Sequence, residues 1–221
     1  MDPVTSGGDV SGGDRPRLDH LVYAVPDLES GAARVEELLG VPPEVGGRHL
    51  GLGTWNRLVG LEGGGYLEIV APDPEQPEPD RPRWFGLDDP GEPRLVTWCV
   101  QATDPLEVAR RGRHSGIDLG EVVEGSRERP DGSLLSWRFT DPWAPRADGV
   151  IPFFIDWGDS PHPSETLTTR CRVADVRVEH PDAVRVEAWL RELGLDTRVS
   201  RAHAPRVVAT LQTPNGTVEL S

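Results

Sequence analysis

The sequence predicts an α+β fold made of repeated βαβββ modules, and three observations predict it. Composition comes first: 36% of the 221 residues are hydrophobic, and 25 glycines plus 22 prolines break the chain into many short segments, which favours strands and turns over long helices. Second, apolar strand-like runs (LDHLVYAV, RLVTWCVQ and RCRVADVRVE) each precede an aspartate and an amphipathic segment. Third, the boundary signals keep phase. The candidate N-caps Asp27, Asp104 and Asp182 lie 77 and 78 residues apart, and the candidate stops Gly40, Gly116 and Gly194 lie 76 and 78 apart. Phase held at both ends of a unit marks an internal repeat.

The first module opens with the strand Leu18–Val25, closed by Pro26. Leu28, Ala32, Val35 and Leu39 then share one helical face, with Asp27 as cap and Gly40 as stop. Extended pieces follow over Glu44–Gly53, Thr54–Leu61 and Gly65–Asp73. The second module has a strand at Arg94–Gln101 and a helix from Asp104-Pro105 to about Gly116. A hairpin follows, Glu121–Arg127 with Leu134–Thr140 around Pro130-Asp131-Gly132, and then a strand over Val150–Trp157. The third has a strand at Arg170–Glu179, a helix capped by Asp182 and strands at Thr197–Ser200, Arg206–Thr213 and Thr217–Leu220.

These boundaries divide the chain into a disordered leader over residues 1–15, two paired modules over 16–165 and a third module over 166–221 packed on them. A four-stranded sheet covered by a helix on one face needs a partner on the other. Two modules therefore pair into a curved sheet around a central cleft, the expected site.

A net charge of -14 repels phosphate backbones and anionic membranes, so nucleic acid and membrane are not expected partners. All 23 basic residues are arginine, which reads as coding bias rather than an arginine-dependent function. The leader has no apolar core like that of a signal peptide, and no run approaches membrane-spanning length. Cys99 and Cys171 lie in separate apolar strands and suggest no disulfide framework; a reducing cytoplasm is the expected compartment. Nucleophile-elbow, P-loop, dinucleotide and CxxC zinc motifs do not occur.

Two strand residues stand out. His20 precedes an apolar run, and Glu68 sits inside YLEIV, where an unpaired carboxylate would be costly to bury. Together they suggest a metal or acid–base site; two polar residues satisfied by hydrogen bonds are the alternative.

The segments LDHLVYAVPDL (18–28), GGRHLGLGTWNRL (46–58), GYLEIVAPDP (65–74), GSRERPDGS (125–133) and PFFIDWGDSPHP (152–163) resemble the glyoxalase-like branch of the vicinal oxygen chelate superfamily. The resemblance covers about Leu18 to Leu220. It implies a site with a His from the first strand and a Glu from the last strand of a module, here His20 and Glu68. The second module does not carry the pair over: aligning VYAV with TWCV puts Leu95 opposite His20, and aligning YLEIV with PFFID puts Phe154 opposite Glu68. Asp156, two residues further and so on the same strand face as Phe154, and His49 are the substitute metal ligands. His20, His49 and Glu68 would meet the 2-His-1-carboxylate pattern.

Zinc, manganese, iron or nickel is the expected divalent cofactor, or none. Glu68 is the candidate catalytic carboxylate. Thr54, Trp55, Asn56, Arg127, Trp157 and His162 are candidate contacts to a small-molecule ligand. Trp98, Trp137, Trp143 and Trp157 form either core or an aromatic-lined pocket. Two functions remain open: a metal-dependent lyase, isomerase or dioxygenase acting on a small oxygenated substrate, and a metal-free small-molecule-sequestering protein of the bleomycin-resistance type. The third module covers a sheet edge or mediates a homodimer.

Overall fold

Each helix starts where an aspartate carboxylate accepts the first free amides. Asp27 accepts from Ser30 N at 2.9 Å, Asp104 from Leu106 N and Glu107 N at 3.1 and 3.2 Å, and Asp182 from Arg185 N at 3.3 Å. The chain leaves each helix through a left-handed glycine, Gly40, Gly116 or Gly194, with φ of 71°, 74° and 82°. This computed structural model describes residues 16–221; the leader expected over 1–15 lies outside them.

The first module is β1 (Leu18–Ala24), α1 (Leu28–Leu39), β2 (Glu44–His49), β3 (Thr54–Leu61) and β4 (Gly65–Pro72). The second is β5 (Arg94–Gln101), α2 (Pro105–His114), β6 (Val122–Glu128), β7 (Leu134–Thr140) and β8 (Phe153–Asp156). Within each, the first strand lies parallel to the last: His20 pairs Tyr66, and Cys99 pairs Phe153. β1 and β5 join the modules in antiparallel register. On the far side a single pair, Arg48 with Glu128, links β2 to β6 and closes the eight strands into a barrel. β8 is shorter than the expected Val150–Trp157. It follows a left-handed run at Arg146–Asp148, and the Val150 and Ile151 carbonyls accept from Trp98 Nε1 and Arg146 Nη1 instead of a neighbouring strand.

The third segment has β9 (Arg170–His180), α3 (Ala183–Glu192), β10 (Arg198–Arg201), β11 (Arg206–Thr213) and β12 (Gly216–Leu220). Its element order repeats that of the others, but its pairing differs. β10 lies parallel to β9, β11 antiparallel to it, and β12 is outermost. β9 joins the barrel through Gly60–Arg170 and Leu61–Cys171. Glu219 on β12 pairs with Arg177 at 2.9 Å on this outer sheet.

The period-two alternation of strands sorts the core into two compartments. Leu21, Tyr23, Leu67, Ile69, Trp98 and Phe154 pack outward against the helices. Val22, Ala24, Val70, Cys99, Phe153 and Ile155 point into the barrel. The alignment that placed Leu95 and Phe154 at the ligand positions is thereby corrected. Both residues face the helical side, and Cys99 and Phe153 face inward. A register shift between β1 and β5 after Val22 is the irregularity that alignment missed.

The closing seam depends on a close approach. A Cβ at Gly47 would lie 2.1 Å from the Glu128 carbonyl oxygen, a contact backbone cannot absorb. Gly47→Ala is therefore expected to part β2 from β6 at a cost of about 1–3 kcal/mol. Urea unfolding with amide exchange over β2 and β6 measures it; unchanged exchange there would refute the expectation.

Candidate functional site

His20, Tyr66 and Glu68 point into the barrel from β1 and β4, Asn56 from β3 and His49 from the end of β2. Arg127 comes from β6. Trp84, Phe85, Trp137, Phe139, Phe153, Ile155 and Trp157 complete the wall. The atom-free space between these residues, its open mouth included, comes to about 360 Å³, only a small part of it wide enough for a water molecule.

At its centre the Glu68 carboxylate lies between two imidazoles. His20 Nε2 is 3.8 Å from Glu68 Oε2, and His49 Nε2 is 3.6 Å from Glu68 Oε1. All three side chains are buried. Each imidazole is held from behind by its other nitrogen: His20 Nδ1 lies 2.6 Å from Asp19 Oδ1, and His49 Nδ1 lies 3.0 Å from Thr54 Oγ1. The carboxylate behind His20 favours a proton on Nδ1 and a free Nε2 lone pair, whereas the Thr54 hydroxyl can donate to or accept from His49 Nδ1, and Asn56 Nδ2 lies 3.5 Å from His49 Nε2. Asn56 Nδ2 donates to Glu68 Oε1 at 2.5 Å, and Arg127 Nη1 donates to Asn56 Oδ1 at 3.2 Å.

Asp19 is fully buried and anchors more than His20. Its Oδ2 accepts from Trp157 Nε1 at 2.9 Å and lies 3.1 Å from His162 Nε2. Burial works against its charge, but hydrogen bonds from His162 and His20 prevail and hold the carboxyl well below the usual range. Burial, aided by the Arg127 charge, pushes His49 well below an ordinary histidine, so it is a neutral imidazole. Burial keeps the Tyr66 phenol protonated, and Tyr66 stacks on His20 at 4.6 Å between ring centres.

Of the residues expected from sequence, the fold brings His20, His49, Glu68, Asn56, Arg127 and Trp157 together. Thr54 stands behind His49 rather than in the wall. Trp55 turns away, its Nε1 donating to the Pro72 carbonyl at 3.1 Å. His162 lies behind Asp19, caps the short turn Pro163–Glu165 and does not line the cavity. Asp156 is corrected outright: it shares the outer face of β8 with Phe154 and pairs with Arg138 at 2.6 Å. Trp137 joins Trp157 in the cavity wall, whereas Trp98 packs against the helices.

Sequence reasoning missed Asp19, Tyr66 and the aromatic wall at Trp84, Phe85 and Phe153. Tyr66 carried a signal, since it lies two residues before Glu68 and shares its face. Trp84 carried none, sitting in the irregular connection between β4 and β5.

Among the described residues two sets have the chemistry to ligate a metal, and the second is the one whose ligand atoms already lie close enough together for a single ion. His20, His49 and Glu68 offer two imidazole nitrogens and a carboxylate. Asp19, His20 and Cys99 form the second set. Chemically it is the poorer donor group. Asp19 is engaged by three side chains, and burial pushes the Cys99 thiol well up, so it resists becoming a thiolate.

A family profile described as "Glyoxalase-like domain" matches residues 18–194. The chain belongs to this family, within the vicinal oxygen chelate superfamily. Among solved structures, a hypothetical protein from Staphylococcus aureus is similar at 18% identity and a TM-score of 0.59, over 91% of this chain and 83% of that one. Methylmalonyl-CoA epimerase from Mycobacterium tuberculosis matches at 23% identity and a TM-score of 0.41, over 62% and 85%. A Streptomyces coelicolor methylmalonyl-CoA epimerase variant in complex with 2-nitronate-propionyl-CoA matches at 19% and 0.41, over 65% and 96%. At these identities the likeness is one of fold. Comparison with curated proteins gives no match. Among the described residues no helix is long and apolar enough to cross a membrane.

Proposed function

We propose that this chain is a divalent-metal-dependent enzyme acting on a small oxygenated substrate inside the barrel. One observation carries the reading: two buried imidazoles face one carboxylate at 3.8 and 3.6 Å, each held from behind by Asp19 or Thr54. The donor types suit a zinc, manganese, iron or nickel ion, which imidazole nitrogens and carboxylate oxygens bind, and holding one ion would draw the three side chains closer than they lie here. The ion would be held by His20, His49 and Glu68. When bound, it would polarise adjacent substrate oxygens and stabilise the negative charge that develops on them.

The chain's own residues supply the rest. Trp84, Phe85, Trp137 and Trp157 form walls that hold a flat molecule and exclude water. Glu68 is the carboxylate of the cavity wall, so it is the group to receive a proton drawn from the substrate. Asn56 fixes Glu68 Oε1, and Asp19 fixes His20. Two buried free thiols, Cys99 and Cys171, suit a reducing cytoplasm.

The second module supplies aromatic walls to this centre, with Phe153 on the inward face of β8. Arg127 reaches Glu68 through Asn56 and places a positive charge nearby. Those two observations favour the other reading, a metal-free protein that sequesters a small aromatic molecule.

Elemental analysis of untagged protein, purified without chelator, separates the two. The expected result is near-stoichiometric divalent metal in the wild type and its loss in His49→Ala and in Glu68→Gln. Wild type that stays empty after incubation with Fe²⁺, Mn²⁺, Ni²⁺ and Zn²⁺ leaves the sequestering protein as the surviving reading.

A further inference from the structure

We infer that the molecule received by this cavity carries a carboxylate, and that Arg127 and Trp84 bind it. The inference rests on the reading of the barrel interior as the substrate site. It goes beyond that reading in naming the charged group of the ligand and the residues that recognise it.

Arg127 is 4% exposed and lines the cavity. Its guanidinium has a single hydrogen bond among the described residues, Nη1 to Asn56 Oδ1 at 3.2 Å, and forms no direct ion pair with a carboxylate among them. Nε is buried and has no acceptor. A guanidinium presents five N–H groups in a planar fork that matches a carboxylate. Leaving the Nε donor dry and unused is costly, because a buried donor forfeits its water without replacement.

Trp84 makes the same point independently. It is 3% exposed, lines the same cavity, and its Nε1 is likewise buried without an acceptor. Two residues with an orphaned N–H, from the turn before β5 and from strand β6, thus line one space. Most other polar groups around that space are engaged: Asn56 with Glu68 and Arg127, His49 with Thr54, His20 and Trp157 with Asp19. What is missing is acceptor oxygens, and a positive guanidinium selects negative ones. The aromatic wall limits the rest of the ligand to a small, flat body. A short carboxylic acid, such as a 2-oxo acid or an aromatic acid, has that chemistry; its uncharged amide has nearly the same shape without the charge.

The test compares acids with their amides. Benzoate against benzamide, and pyruvate against pyruvamide, are titrated into the full chain and followed by tryptophan fluorescence, since Trp84, Trp137 and Trp157 line the cavity. Both the chelator-treated and the metal-supplemented protein are used. The expected result is at least tenfold tighter binding of one acid than of its amide in both preparations. In Arg127→Met the ratio should fall below threefold, with the circular dichroism spectrum unchanged. If that variant does not fold, Arg127→Lys keeps a charge without the fork and should show a reduced ratio.

Equal binding of acid and amide by the wild type overturns the inference. So does the absence of binding by either pair, or a ratio that survives in Arg127→Met. A protein that never takes up metal yet prefers the acid through Arg127 removes the metal reading and leaves this one standing.

Discussion

Asp19→Leu is expected to destabilise the fold by about 3–5 kcal/mol, a large share of the stability of an ordinary domain. The change strips the acceptor from three donors at once, on buried His20 and half-buried Trp157 and His162, which come from β1 and from the segment after β8. Asp19 and His20 are buried, so water cannot readily replace the bond between them. The control is Asp156→Leu, which breaks a partly exposed pair with Arg138 and should cost about 1 kcal/mol or less. Urea unfolding of both variants measures the contrast, and similar losses would show that the Asp19 network carries no special weight.

Phe154→Ala should cost a comparable ~3–5 kcal/mol, the usual range for a fully buried aromatic. Phe154 is 2% exposed on the outer face of β8 and belongs to the core beneath the helices. The ring faces away from the cavity, so metal uptake by the folded variant should match the wild type. Phe153→Ala inverts the pattern: it removes cavity wall beside His20, at 5.3 Å between ring centres, and should alter ligand binding. Thermal unfolding with metal analysis on both variants decides the assignment. Lost metal uptake in folded Phe154→Ala would mean that the β8 register is wrong.

That register also shows where sequence reading stops. The helix boundaries were legible because capping is local: an aspartate and a glycine act within one turn of themselves, and all six signals do so here. His20 and Glu68 were legible because a polar side chain in an apolar strand must be satisfied by something. The inward sides of β5 and β8 were not legible. A one-residue shift between β1 and β5 displaces Leu95 without a mark in composition, and the unbroken apolar run PFFI has no alternation to mark a face. Asp19 was hidden for a related reason. Its partners, Trp157 and His162, lie 138 and 143 residues along the chain, and only the barrel makes them neighbours. The pairing of β9–β12 likewise depends on long-range ladders that the order of elements does not encode.

The single Arg48–Glu128 pair that completes the barrel bears on more than stability. A narrow cavity admits a bulky molecule more readily when some stretch of wall parts, and the weakest ladder parts at the lowest free energy. The two strands that meet there are β2, which ends in His49, and β6, which carries Arg127. Opening at this point would draw an imidazole to one side and a guanidinium to the other. Admission of a ligand and disassembly of the chemical centre would then be one motion, and reclosure would restore both walls around whatever had entered.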